Sequence, residues 1–76
     1  MISFVLCKLT AGLEQKAISQ IKTIRGIKDV YITFGGWDAI IIAEADTMDK
    51  LSNLILREIR STHGVQSTET LVTTNY

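Results

Sequence analysis

Gly35, Gly36, Trp37 and Asp38 stand consecutively in the stretch FGGWD (34–38), directly ahead of the apolar run AIIIA. Backbone N–H groups in a glycine turn can approach a ligand carboxylate, and an aspartate beside them can receive an ammonium. Together these residues suit a zwitterion such as a free amino acid. The simpler reading of the same residues is a tight turn, with the Trp37 ring over the sheet edge and the Asp38 carboxylate bonded to nearby amides. The other chemically active side chains, Tyr31, Glu44 and His63, join Asp38 in no recognisable catalytic constellation. His63 has a plain role at a helix C-terminus, where the dipole favours a cation. Cys7 is the only cysteine. It excludes an internal disulfide, a cysteine-based metal site and the C-x-x-C pair of a copper chaperone, and it reads as a small hydrophobe on a strand. Metal, nucleotide and flavin signatures are absent, and no cofactor is expected.

The elements that must hold these residues follow from the change in hydrophobic period along the chain. Ile2–Leu9 (ISFVLCKL) is β-branched, aromatic and apolar at both parities, which predicts a strand. From Leu13 the apolar residues Leu13, Ala17, Ile18, Ile21 and Ile24 share a helical face, so a first helix is expected over about 13–25, with Gly26 beyond its end. Ile27–Phe34 predicts a second strand, with Val30, Ile32 and Phe34 on one face. Gly35-Gly36 then predicts a two-residue hairpin into a third strand over 37–45. Asp46 or Thr47 can cap a second helix whose stripe is Met48, Leu51, Ile55 and Ile59, with Leu54 alongside. His63 and Gly64 end it, and Val65–Thr74 is the last strand. Glycine followed by a β-branched residue at both Gly26-Ile27 and Gly64-Val65 is an internal echo of two similar halves. The order β-α-β-β-α-β predicts an α+β, ferredoxin-like fold, a four-stranded antiparallel sheet with two helices on one face.

Two helices cover one side of such a sheet. Yet Ile2, Phe4 and Leu6 alternate with Val5, Cys7 and Leu9, and Ile40 and Ile42 alternate with Ile41 and Ala43. Strands apolar at both parities imply burial on both faces. At about 25 cal/mol per Å² of apolar area, leaving the second face wet forfeits several kcal/mol, comparable to the whole stability of a small domain. Self-association through the open sheet face is therefore expected.

Length and charge agree with this. The 76 residues make one domain, 1–76, and a single core of that size rarely supplies more than about 3–5 kcal/mol without a disulfide, a metal or oligomerisation. Eight basic residues balance eight acidic ones along the chain, which is no nucleic-acid footprint. The apolar N-terminal stretch is too short for a signal peptide or a membrane span, which leads to the expectation of a cytoplasmic protein.

Three stretches, ISFVLCKLTAG, IRGIKDVYITFGGWDAIII and HGVQSTETLVT, resemble the effector-sensing and oligomerisation domain, often called RAM, of the Lrp/AsnC (leucine-responsive regulatory protein) transcription-factor family. The resemblance spans the whole chain and implies a ferredoxin-like domain that dimerises through its sheet, often assembles further to octamers, and binds amino acids or related metabolites between subunits. By position it implies that Gly35, Gly36, Trp37 and Asp38 form the effector loop, with hydroxyls from Ser67, Thr68 and Thr70 of a neighbouring subunit. Phe34 departs from the small hydroxyl residue often found before the first glycine. Full-length members carry an N-terminal helix-turn-helix, whereas Met1 here leads straight into the first strand. The chain thus resembles the stand-alone RAM proteins, which would reach DNA only through another protein such as a full-length regulator.

A competing expectation is a small dimeric enzyme of the monooxygenase or isomerase type, since fold does not fix function. An RNA-recognition module of the same strand order is disfavoured, because the central strands DVYIT and AIIIA lack a basic surface with stacking aromatics.

Overall fold

The computed structural model describes residues 1–73; Thr74, the expected last residue of the final strand, lies outside the described residues. The elements are β1 (Ile2–Leu9), α1 (Glu14–Lys22), β2 (Ile27–Ile32), β3 (Ala39–Glu44), α2 (Met48–Asn53) and β4 (Val65–Val72). Beyond Asn53, α2 continues as a π-helical segment, Leu54–Ile59. The strands form one antiparallel sheet in the order β2-β3-β1-β4. This is the expected ferredoxin-like arrangement.

Side-chain alternation puts Val5, Cys7 and Leu9 of β1 and Ala39, Ile41 and Ala43 of β3 on the helix side. There they form one core with Ala17, Ile18 and Ile21 of α1 and with Leu51, Ile55 and Ile59 of the second helix. Ser3 lies in the same row, fully buried, and its hydroxyl has no hydrogen-bond partner.

The expected helices need two corrections. First, α1 starts at Glu14 and ends at Lys22, inside the expected 13–25. Its last turn tightens: Thr23 N–H donates to the Gln20 carbonyl at 3.1 Å and Ile24 N–H to Ile21 at 3.0 Å, while the Thr23 hydroxyl also bonds the Gln20 carbonyl. Second, the second helix changes type at Leu54. Buried Leu51, Ile55 and Ile59 recur every four residues, a step that drifts by about 40° in an α-helix of 3.6 residues per turn. The wider π turn takes that drift back and keeps all three on the core. Thr47 is the N-cap, its hydroxyl accepting from Lys50 N–H at 3.2 Å.

The two halves echo each other structurally. Gly26 (φ +98°) and Gly64 (φ +100°) both reverse the chain from helix into strand in a conformation that L side chains rarely adopt. Each is also crowded: a Cβ at Gly26 would sit 3.0 Å from the Glu44 carbonyl oxygen and against Leu54, and one at Gly64 would sit 3.1 Å from Leu13 Cβ.

Opposite the helices, the sheet is open. Phe4 and Leu6 of β1 lie beside Ile42 and Ile40 of β3. On the other side Phe4 neighbours Leu71, and Leu6 neighbours Glu69, on β4. Phe4 is 37% exposed and Leu71 50% exposed, with Leu6, Ile40 and Ile42 half-buried by one another. Lys8, Asp29, Glu44 and Glu69 share this face by alternation and surround its apolar centre.

Candidate functional site

The hairpin is wider than a two-residue turn. β2 stops at Ile32 and β3 begins at Ala39, with these two residues paired. Thr33 N–H then donates to the Asp38 carbonyl at 3.0 Å, and the Thr33 hydroxyl donates to the Trp37 carbonyl at 2.6 Å. Residues 34–37 are left as a four-residue loop. The expected strands over 27–34 and 37–45 are shortened for this reason, and Phe34, expected to share a strand face with Val30 and Ile32, is fully exposed in the loop.

Asp38 is fastened to the sheet by both its backbone and its side chain. Its N–H donates to the Cys7 carbonyl at 2.8 Å, and its Oδ2 accepts from Leu9 N–H at 2.8 Å. The carboxylate thus stands in for a backbone carbonyl where the β1–β3 ladder ends. Among the described residues Oδ1 accepts no hydrogen bond, and the N–H groups of Gly35, Gly36 and Trp37 donate none. Gly35, at φ +143°, takes a backbone conformation that favours glycine, and a Cβ at Gly35 or Gly36 would meet nothing within 4 Å. One end of the sheet therefore carries a half-buried carboxylate oxygen and a row of open amides.

The hydroxyl residues of β4 are elsewhere in the chain. Thr68 is in register with Cys7 and Thr70 with Val5, on the helix side, whereas Ser67 is in register with Lys8 and lies on the open face. β4 is two strands away from β3. Within one chain the three hydroxyls do not meet the Gly35–Asp38 loop; the two groups could approach each other only across chains. Thr70 instead borders a groove of about 190 Å³ between β4 and the second helix, with Met48, Leu51, Ser52, Ile55, Leu56 and Val72.

Tyr31, Glu44 and His63 also stand apart from Asp38. The Tyr31 hydroxyl donates to Asp29 Oδ2 at 2.9 Å, and that bond to a carboxylate raises its pKa above the ordinary 10.0. Glu44, at the far end of β3 from Asp38, is 3.5 Å from the Lys28 ammonium, and His63 is in the turn before β4. Among the described residues no three His, Cys, Asp or Glu side chains gather as metal ligands. Burial pushes the Cys7 thiol up to about 11, which keeps it protonated and unreactive. No helix among the described residues is long and apolar enough to cross a membrane.

Sequence reasoning missed two features that complete the loop: the Thr33 hydroxyl and the Leu9 amide. The first was visible as a threonine two residues ahead of Gly35. The second was not, because it depends on the register of β1 against β3.

The profile of the Lrp/AsnC ligand binding domain matches residues 3–75. The chain belongs to the Lrp/AsnC family. An uncharacterized HTH-type transcriptional regulator of Pyrococcus furiosus is 32% identical over 73 residues, which cover 92% of this chain and 49% of the regulator. The chain thus spans about half the length of that relative. The crystal structure of FFRP-DM1 superimposes with a TM-score of 0.91 at 27% identity, covering 96% of this chain and 97% of that one. A Neisseria meningitidis transcriptional regulator, solved as an L-Met complex, shares the fold with a TM-score of 0.89 at 16% identity, covering 97% of this chain and 49% of that one. The Lrp/AsnC ligand-binding fold is therefore present here from end to end of the described chain.

Proposed function

We propose that this Lrp/AsnC domain is an amino-acid-effector-binding and oligomerisation module that modulates transcription. The observation that carries the reading is the Gly35–Asp38 loop. Its open amides suit an α-carboxylate, and the unbonded Asp38 Oδ1 suits an α-ammonium. Trp37, half-buried beside them, supplies apolar surface for a side chain. The L-Met complex of the Neisseria regulator supports a ligand of this class.

The module works as a homodimer. The open sheet face of Phe4, Leu6, Ile40, Ile42 and Leu71 packs against the same face of a second copy, and dimers build further, up to octamers. A typical interface takes about 800 Å² per partner, roughly a sixth of this chain's 5146 Å². One sheet face is the surface that can supply it in apolar form. Neighbouring chains then bring Ser67, Thr68 and Thr70 to the loop and close the effector cleft, which a single chain leaves open. Contact with full-length Lrp/AsnC regulators, in the cytoplasm, carries the signal to DNA.

The test is a melting panel of the purified protein against the twenty amino acids. A ligand at 100 times its dissociation constant stabilises by about 2.7 kcal/mol, and each kcal/mol moves the midpoint by roughly 4–8 °C in a domain this small. One or a few amino acids should shift the midpoint. Asp38→Asn should abolish the shift while retaining an acceptor for Leu9 N–H, whereas Asp38→Ala also removes the ladder bond. A flat panel, or full binding by Asp38→Asn, contradicts the reading.

A further inference from the structure

The helix side carries a second concavity, away from both the loop and the open sheet face. A cleft of about 480 Å³ opens between the C-terminal end of α1 and the second helix, and Ile24, Arg25, Lys50, Leu54, Arg57 and Glu58 are among its walls. The volume falls within the range of small-molecule sites, about 300–1,000 Å³. In a chain whose net charge is zero, this cleft is lined by three cations and one carboxylate. Among the described residues Arg25 and Arg57 form no salt bridge, and Lys50 reaches only the exposed Asp46, at 3.9 Å. Leu54, Arg57 and Glu58 belong to the π-helical segment, a helix type that recurs at functional sites. Its i→i+5 bonding, seen in Arg60 N–H donating to the Ile55 carbonyl at 3.0 Å, lets one stretch send Ile55 and Ile59 into the core and line the cleft as well.

We propose that this cleft binds a phosphorylated small molecule, at a site separate from the effector loop. Two guanidinium forks and an ammonium exceed what a single carboxylate requires. They match a phosphate or diphosphate, whose oxygens accept bidentate bonds from arginine. A terminal phosphate carries about −1.5 to −2 at pH 7, a charge that Arg25 and Arg57, which form no salt bridge among the described residues, can offset. Ile24 and Leu54, both half-buried, offer apolar contact to the organic part of the ligand. Because the cleft is on the helix layer, dimerisation through the opposite sheet face leaves it accessible.

The experiment is an amide-resolved NMR titration of the whole chain with ADP, with inorganic phosphate in parallel and sodium chloride at matched ionic strength. ADP is expected to move the amides of Arg25, Asn53 and Arg57 and to leave those of Gly35–Asp38 in place. Inorganic phosphate should move the same amides more weakly. The double variant Arg25→Gln/Arg57→Gln, whose substitutions are on exposed positions, should melt as the parent does and bind ADP about tenfold or more weakly. Affinity should also fall below about pH 6, where the terminal phosphate takes up its second proton. No movement at these amides up to roughly 10 mM ADP, a Kd weaker than any useful site, would overturn the proposal. Undiminished binding by the double variant or an equal response to chloride would do the same. Phosphate binding as tightly as ADP would overturn the organic part of the assignment.

Discussion

Three residues carry more than their side chains suggest. Ser3 is fully buried in the row of Val5 and Cys7, with its hydroxyl unpaired. An unsatisfied buried hydroxyl costs about 1–3 kcal/mol, so Ser3→Ala should raise stability by about 1 kcal/mol in urea denaturation. A loss of stability would mean that the hydroxyl has a partner. Cys7 sets a pH limit. The unfolded chain releases the thiol proton near the ordinary 9.0, while burial holds it until about 11 in the fold. Its contribution to stability is therefore intact below pH 9 and is lost as pH rises towards 11. Parent and Cys7→Ala melts across that window should differ in slope, the variant falling less steeply. Asp38 was legible from the sequence as a turn carboxylate bonded to a backbone amide. The structure assigns one oxygen, Oδ2, to Leu9 and leaves the other unbonded.

The elements were legible where the hydrophobic period is long, and not where one side chain replaces a backbone group. β1 is found at its expected bounds, and the other strands and α1 lie within theirs. The hairpin was read too tightly, because Gly35-Gly36 satisfies the two-residue turn rule. The rule cannot anticipate that Thr33 closes on Trp37 and Asp38, or that the Asp38 carboxylate caps the β1 ladder. The π-helical segment was invisible for a related reason: residues 51, 55 and 59 fit an α-helical stripe about as well. That Arg25, Lys50 and Arg57 line one cleft was hidden too, since each reads singly as the wet side of its helix. Gly26 gives the test at this scale. Its positive φ and its closeness to Glu44 and Leu54 predict that Gly26→Ala costs about 1–3 kcal/mol. An unchanged midpoint would show that the helix-to-strand turn tolerates a Cβ.

At the scale of the molecule, one half of the sheet's apolar surface is covered by helices and the other half is not. The parity of β1 distinguishes the two. Val5 points to the core, so Val5→Lys buries a charge and should unfold the chain. Leu6 points to the open face, beside Ile40 and Glu69, so Leu6→Lys should leave the fold intact and charge the face proposed to dimerise. The effector reading depends on the same face, because the Gly35–Asp38 loop and the β4 hydroxyls do not meet within one chain. The most direct measurement is therefore sedimentation equilibrium of the parent and Leu6→Lys at micromolar concentration, with circular dichroism of both. A dimer or a multiple of dimers is expected for the parent and a folded monomer for Leu6→Lys. A monomeric parent, or a Leu6→Lys variant that keeps the parent's assembly, would contradict it.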